Sequence, residues 1–434
     1  MTKKKPLKKS VSIKSNKSCR TIAPSRHKIS RNNISSNAKN VIQKLNDKGF
    51  EAYLVGGGVR DLLLGKIPKD FDVATDATPE QVREVFRRSR IIGRRFRIVH
   101  VHCGREIIEV TTFRGEHKQR QQHSIHQLQS RSGQLLRDNV YGNIESDALR
   151  RDFTVNALYY SLTDGAVYDY TNGLDDIKSQ QLRLIGSPEV RYIEDPVRLL
   201  RAIRFAAKLG FSIEKETAVP IVEQSQLLLN VSNARLFDEV LKLFLGGYAV
   251  ATFELLCQYR LFEQLFPATA GAMYKNSLYL AMIEAVMFNT DKRIHGDKRV
   301  TPAFIFAALL WPPMIDYRYQ LIHKERMSPI SAFAQAARTV IDEQLVRVAV
   351  PKRFLATLWQ IWELQWILPK RHGKRAERLV THPRFRAAYD FLLMREVAGE
   401  DLDNLGDWWT RYQDSDDKQR TKMVGVLSRT NGNS

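Results

Sequence analysis

The sequence predicts an α+β protein, with a small mixed β-sheet head followed by an all-α neck and body. Three observations carry that expectation. Up to about residue 190, short apolar runs alternate with period two between glycine and proline turns, as half-buried strands do. Beyond that point apolar residues recur every three to four positions, as on amphipathic helices. A length of 434 residues is enough for more than one core. The composition shifts divide the chain into a disordered basic arm (1–36), the head (37–190), a helical neck (191–265), a helical body (266–412) and a flexible tail (413–434).

Within the head, an amphipathic helix over Asn37–Leu45 leads into a strand over Glu51–Val55. Gly56-Gly57-Gly58 then turns the backbone sharply, and Val59–Leu64 reads as a helix stopped by Gly65. Pro68 breaks the chain before Asp70-Phe71-Asp72-Val73, where polar and apolar residues alternate as on a strand. Thr78-Pro79-Glu80 caps a helix expected to run to about Ser89. Arg94–Val101 and Ile107–Thr112 read as paired strands about a turn at Gly104. Gly115–Asp138, rich in Gln, His, Ser and Arg, reads as a mobile loop, and Leu158–Asp169 as a hairpin turning at Asp164-Gly165.

The period then becomes helical. Asp195-Pro196 is read as an N-cap with proline at the first helical position, opening a helix that stops at Gly210. Arg198, Arg201, Arg204 and Lys208 form a ladder of cations along one face of it. In the Ala234–Phe244 helix Arg235 and Glu239 are spaced to pair across one turn. Trp359, Trp362 and Trp366 have core spacing, and Lys370–Arg375 with Arg378, Arg384 and Arg386 makes a basic cluster able to follow a nucleic-acid backbone or to face solvent.

Composition narrows the function classes. The charge of +21 and pI near 9.8 indicate a polyanionic partner, nucleic acid before membrane surface. Residues 1–40 contain nine Lys, three Arg and no acid, which is +12 of that total and leaves +9 for the other 394 residues. Such an arm suits salt-sensitive contact with phosphates. Cys19, Cys103 and Cys257 are far apart and indicate neither a disulfide framework nor a zinc ribbon. No run of eighteen apolar residues occurs, so a membrane span is not expected, and a cytoplasmic location is.

The chemistry concentrates between Leu54 and Val73. A helix that starts directly after a glycine turn presents unpaired N–H groups and a positive dipole end, which suit a phosphate. On the following strand Asp70 and Asp72 point to one face, and adjacent like charges persist best where a divalent cation neutralises them. A bland surface Asp-x-Asp is the competing reading of that pair alone. Phosphate cradle and paired carboxylates together describe Mg-dependent phosphoryl or nucleotidyl transfer. Glu109, alternating on its own strand, is placed to be a third carboxylate. Arg150-Arg151-Asp152 adds guanidiniums for phosphate oxygens and a further acid. His100 and His102 share a strand face but have no third ligand spaced with them.

These motifs resemble the nucleotidyltransferase superfamily of DNA polymerase beta type, and within it the class that holds bacterial poly(A) polymerases and CCA-adding enzymes. The resemblance covers about residues 40 to 410. It rests on the glycine turn with Val59-Arg60-Asp61, Asp70-Phe71-Asp72-Val73, Arg150-Arg151-Asp152-Phe153-Thr154 and Glu194-Asp195-Pro196-Val197-Arg198. Gly93–Val101, Leu136–Gly142, Ala234–Phe244 and Pro383–Asp390 are more similar to the bacterial poly(A) polymerases. No adjacent His-Asp pair occurs, so the phosphohydrolase domain of some CCA-adding enzymes is not expected.

The resemblance implies a polymerase-beta-like head and template-independent transfer of AMP from ATP to RNA 3' ends. Asp70, Asp72 and a third carboxylate would hold Mg²⁺; both Asp152 and Glu109 are candidates for that third place. Gly56, Gly57, Arg60, Asp61, Arg151, Arg201 and Arg204 would bind the nucleotide, and Asp195 with Arg198 would read its base. RNA-decay or RNA-chaperone proteins are the implied partners, and a monomer is expected. Poly(A) polymerases of this type often end in an Arg-rich extension. Here the last residues, Asp414–Ser434, are weakly charged and the basic arm lies at the front.

Overall fold

A computed structural model describes residues 19–93, 97–115, 127–129, 135–138 and 140–430. The chain divides into two compact units, Met1–Pro188 and Glu189–Ser434.

The first unit is built on an eight-stranded mixed sheet. Its strands are β1 (Arg20–Ile22), β2 (Ala52–Val55), β3 (Asp72–Thr75), β4 (Ser89–Ile92), β5 (Ile98–Cys103), β6 (Glu106–Thr112), β9 (Leu158–Tyr160) and β10 (Val167–Asp169), while β7 (Gln127–Gln129) and β8 (Leu135–Asp138) form a separate hairpin. The order is β1-β10-β9-β2-β3-β6-β5-β4. Every neighbouring pair is antiparallel except β3 and β6.

Residues opposite one another across a ladder point to the same face, and the face alternates along each strand. Tyr53, Val55, Asp72, Ala74, Glu109 and Tyr159 therefore share one face through the registers Val55↔Asp72, Tyr53↔Ala74, Asp72↔Glu109 and Val55↔Tyr159. Leu54, Val73, Val99 and Val110 occupy the other and are fully buried. Helix α1 (Ser36–Asp47) packs on β2, β3 and β6 through Ala38, Val41, Ile42 and Leu45. Helix α3 (Pro79–Val85) is capped by Thr78 as expected, and the structure adds a capping box with Gln81. The Asp72 face is built differently: an aromatic cluster of Tyr53, Phe113, Tyr159 and Tyr168 fills part of it and leaves its carboxylate edge open.

Several expectations are corrected. The basic arm is not irregular throughout residues 1–36, because Arg20–Ile22 pairs with β10 and Pro24–Arg26 and Arg31–Asn33 form 3-10 turns; its first eighteen residues lie outside the described ones. The helix expected to reach Ser89 ends at Val85, and Ser89 opens β4, which pairs with β5. Most of the Gly115–Asp138 loop lies outside the described residues. Within the segment expected as a flexible tail, Asp417–Thr430 is helical.

The second unit is helical almost throughout. Its longest helix, Pro302–His323, buries an unbroken run from Ala303 to Met314. Trp362 is fully buried against Trp311, on which Trp366 stacks. The Val197–Leu209 helix starts one residue later than expected, with Pro196 at its cap position and no side-chain cap.

Candidate active site

The glycine turn narrows to one residue that needs it. Helix α2 (Gly57–Leu63) begins directly after Gly56, whose φ of 74° and ψ of −136° lie where residues with a side chain are strained. A Cβ at Gly56 would lie 3.7 Å from both Asp72 Oδ2 and Arg151 Nη1. The backbone at Gly56 thus passes directly beside the Asp72 carboxylate and the Arg151 guanidinium.

Asp72 opens β3 and is the register partner of Glu109 on β6. The parallel pairing brings the two carboxylates to adjacent strands on one face. Asp70 precedes the strand and is exposed. Burial pushes the Asp72 carboxyl up from 3.8 to about 6, with further upward pressure from Glu109 and then Asp70, against a lowering by Arg151. Glu109 stays open to solvent, with a side chain 47% exposed, and lies 3.3 Å from His100 Nε2 without a hydrogen bond between them. His102 is exposed, and among the described residues no three His, Cys, Asp or Glu side chains close around a metal position. Mutually repelling oxygen donors with open positions between them fit Mg²⁺, which binds through one or two carboxylates plus water and substrate phosphates.

Arg151 is held by a network the sequence reading missed. Its Nε donates to Tyr159 Oη at 2.9 Å and to Asp147 Oδ2 at 3.1 Å, and its Nη2 donates to the same Oδ2 at 2.9 Å. Tyr159 Oη donates to Asp147 Oδ2 at 2.6 Å, and Asp147 Oδ1 accepts the Arg114 N–H at 3.1 Å. Burial works against the arginine's charge, yet Tyr159 and Asp147 more than offset it and raise its pKa. Burial raises Tyr159 strongly as well, so it stays a neutral phenol. The legible signal was the i,i+4 spacing of Asp147 and Arg151 at the end of α4 (Ile144–Arg150).

Other predicted residues have different positions. Arg60 is only 1% exposed, bound through Nε and Nη2 to Asp61 Oδ1 at 2.9 and 2.6 Å and through Nη1 to Asn156 Oδ1. A buried guanidinium so engaged braces α2 against the Thr154–Asn156 turn. Gly57 faces that guanidinium, which would lie 3.5 Å from an added Cβ. Asp152 accepts the Phe153 N–H at 2.8 Å and a longer bond from Asn156 at 3.4 Å; its carboxylate therefore stabilises the same turn.

Asp195, Arg198, Arg201 and Arg204 belong to the second unit. Pro196, not Asp195, holds the cap position of the next helix, and both Asp195 oxygens accept from Arg235, at 2.8 and 3.0 Å. The expected Arg235–Glu239 pair is replaced, with Glu239 holding Lys242 at 2.8 Å and facing Arg204 at 3.8 Å. Arg198 donates to the Arg191 carbonyl at 2.7 Å and to Glu194 Oε2 at 3.1 Å. Arg201 and Arg204 both lie over the Phe205 ring.

A mixed sheet with carboxylates on neighbouring strands beside a glycine turn and a fixed arginine defines a nucleotidyltransferase head. Residues 52–183 match the family model described as the poly A polymerase head domain, 210–273 that of the probable RNA and SrmB-binding site of polymerase A, and 325–433 that of the polymerase A arginine-rich C-terminus. The chain is 50% identical over 412 residues to poly(A) polymerase I of Escherichia coli O6:H1, covering 94% of this chain and 89% of that one. It is 48% identical over 400 residues to poly(A) polymerase I of Haemophilus influenzae, covering 91% and 88%. The chain belongs to the poly(A) polymerase family. A CCA-adding enzyme of Lactobacillus helveticus is 39% identical over 53% of this chain and 55% of its own. Among solved structures, the CCA-adding enzyme of Bacillus stearothermophilus in complex with CTP shares the fold, with a TM-score of 0.59 and 23% identity over 87% of this chain and 82% of that one. The arginine-rich match corrects one expectation. The expectation puts the arginine-rich segment at the very end of the chain, whereas the matched region starts at 325 and contains Arg371, Arg375, Arg378, Arg384 and Arg386.

Proposed function

We propose that this protein is a template-independent polynucleotide adenylyltransferase that extends RNA 3' ends with AMP from ATP, releasing diphosphate. The observation that carries the reading is the Asp72–Glu109 register pair beside Gly56 and Arg151, in a chain half identical to poly(A) polymerases along nearly its whole length.

Asp70, Asp72 and Glu109 are the residues that would hold Mg²⁺; when bound, the ion supplies charge neutralisation at the attacking and leaving oxygens. The register pairing supports Glu109 as the third carboxylate, and the turn-stabilising bonds of Asp152 support a positioning role for that residue. Arg151, fixed by Asp147 and Tyr159, presents Nη1 towards the glycine turn, where a fixed cation suits a triphosphate oxygen. Helix α2 begins there and lends its first N–H groups. Asp195 and Arg198 are assigned to adenine, Asp195 with its carboxylate plane set by Arg235. Arg201 and Arg204 are assigned to nucleotide or RNA phosphates.

The match over 210–273 supports RNA contact in the second unit and RNA-decay or RNA-chaperone proteins as partners. Among the described residues no helix is long and apolar enough to cross a membrane; a cytoplasmic monomer completes the proposal. The test supplies ATP or CTP separately, with Mg²⁺, to a generic RNA primer and to a tRNA lacking its CCA end. Long tails on the generic primer from ATP alone are expected. Addition confined to the tRNA end and requiring CTP would replace this reading with CCA addition.

A further inference from the structure

The helical unit contains a cleft of about 190 Å³ far along the chain from the carboxylates, lined by Arg293, Arg299, Arg384 and Arg386. Asp390 is the one acid in its lining. Four guanidiniums facing one carboxylate leave a local excess of three positive charges.

The arginines are set in place. Asp390, 7% exposed, accepts a hydrogen bond from Arg293 Nη1 on one oxygen and forms an ion pair with Arg386 Nη2 on the other, both at 3.0 Å. A buried carboxylate requires such pairing, so it fixes two cations from different helices at the cleft wall. Arg384 Nε donates to Gln360 Oε1 at 3.2 Å, and Arg293 Nη2 donates to the Arg299 carbonyl at 3.4 Å. Arg386 retains a side chain 65% exposed, and Arg299 and Arg384 are exposed as well. Thr301, also in the lining, caps the 22-residue Pro302–His323 helix, so a positive helix end opens on the same space. A solvated basic surface would place arginines apart, each pointing to water. Here they converge on a concavity large enough for several waters, given about 30 Å³ for each.

We propose that this cleft seats a backbone phosphate of single-stranded RNA, at a site separate from the carboxylates. Fork-shaped guanidiniums suit phosphate oxygens, and contacts to phosphate carry no sequence preference. The cleft thereby anchors the strand whatever its sequence. The proposal rests on RNA being the substrate, as proposed above.

The test measures binding of a fluorescent single-stranded RNA to the full chain over a range of salt concentrations, in EDTA and without ATP, so that no chemistry contributes. Arg384→Gln with Arg386→Gln leaves Asp390 paired to Arg293. This double variant is expected to weaken RNA binding about tenfold and to flatten the plot of log affinity against log salt by roughly 0.7 for each phosphate no longer neutralised. Arg299→Gln, which removes an exposed side chain and keeps the backbone carbonyl, should act in the same direction and guards against a folding defect. Arg384→Lys with Arg386→Lys should restore the slope. Exposed Arg338, on another helix, is the control. An unchanged slope in the cleft variants, or an equal weakening by Arg338→Gln, would overturn the proposal. Because binding is read without ATP, failure of the wild-type chain to incorporate AMP would count against the proposed reaction and leave this result standing.

Discussion

Replacing Asp72 by asparagine should stabilise the metal-free protein while abolishing its activity. The carboxylate has a pKa raised from 3.8 to about 6, first by burial and then by Glu109 and Asp70. That rise corresponds to roughly 3 kcal/mol held against the ionised form, at about 1.4 kcal/mol per tenfold change in proton affinity. The folded protein binds this proton more tightly than the unfolded chain does. Its contribution is therefore fully present below pH 3.8 and is lost as pH rises through about 6. At pH 8 the wild-type site carries the whole penalty unless a cation relieves it. Asp72→Asn keeps the shape and removes the charge, so in EDTA at pH 8 the variant should gain about 1 to 3 kcal/mol, the lower figure allowing for relaxation and water entry. Adding Mg²⁺ should stabilise the wild type and not the variant.

All six tryptophans lie between residues 311 and 409, so their fluorescence follows the second unit only. Hydrogen exchange of peptides covering β3 and β6, followed through a urea titration, reads the head. An Asp72→Asn protein as stable as or less stable than wild type in EDTA at pH 8 would refute the argument that burial, with Glu109 and Asp70 nearby, penalises the Asp72 charge.

The remaining predictions concern the parts around that pair. Tyr159→Phe removes a phenol that donates to Asp147 and accepts from Arg151; it should cost about 1.5 to 3 kcal/mol and raise KM for ATP more than it lowers kcat, and an unchanged KM would remove Arg151 from the triphosphate. Gly56→Ala faces ordinary contacts at 3.7 Å, so its cost comes from backbone conformation, about 1 to 3 kcal/mol; urea unfolding within experimental error of wild type would contradict that origin. Arg235→Gln removes the two-pronged pairing of Arg235 with Asp195 and should reduce the preference for ATP over CTP in single-nucleotide incorporation, whereas a preserved ratio would separate this ion pair from base choice. Lowering pH from 8 to 6 should lower the apparent Mg²⁺ affinity, because protons compete for Asp72; calorimetric titration giving the same affinity at both values would count against Asp72 as a ligand.

Local chemistry was legible from the sequence because local rules govern it. Alternation marked Glu109 as a carboxylate on one face of its own strand, Thr78-Pro79 marked the start of α3, and a glycine was required where φ is positive. Helix period separated the two units' composition near residue 190, against an observed division at Pro188. Local rules also misled: Arg235 and Glu239 have ideal spacing for a helix pair, yet Arg235 reaches Asp195, forty positions back. Asp195-Pro196 looks like a helix cap, yet its carboxylate is taken by that arginine.

What the tertiary structure alone decided is which charges meet. The parallel pairing of β3 with β6 brings Asp72 to Glu109 across thirty-seven positions of chain, and the β9–β2 pairing sets Tyr159 on the same face as Asp72, while a hydrogen bond across twelve positions ties that tyrosine to Asp147. No periodicity encodes these encounters, because a side chain's direction follows from its own few neighbours in sequence. Its partner follows from how distant segments compete to bury apolar surface and satisfy polar groups together.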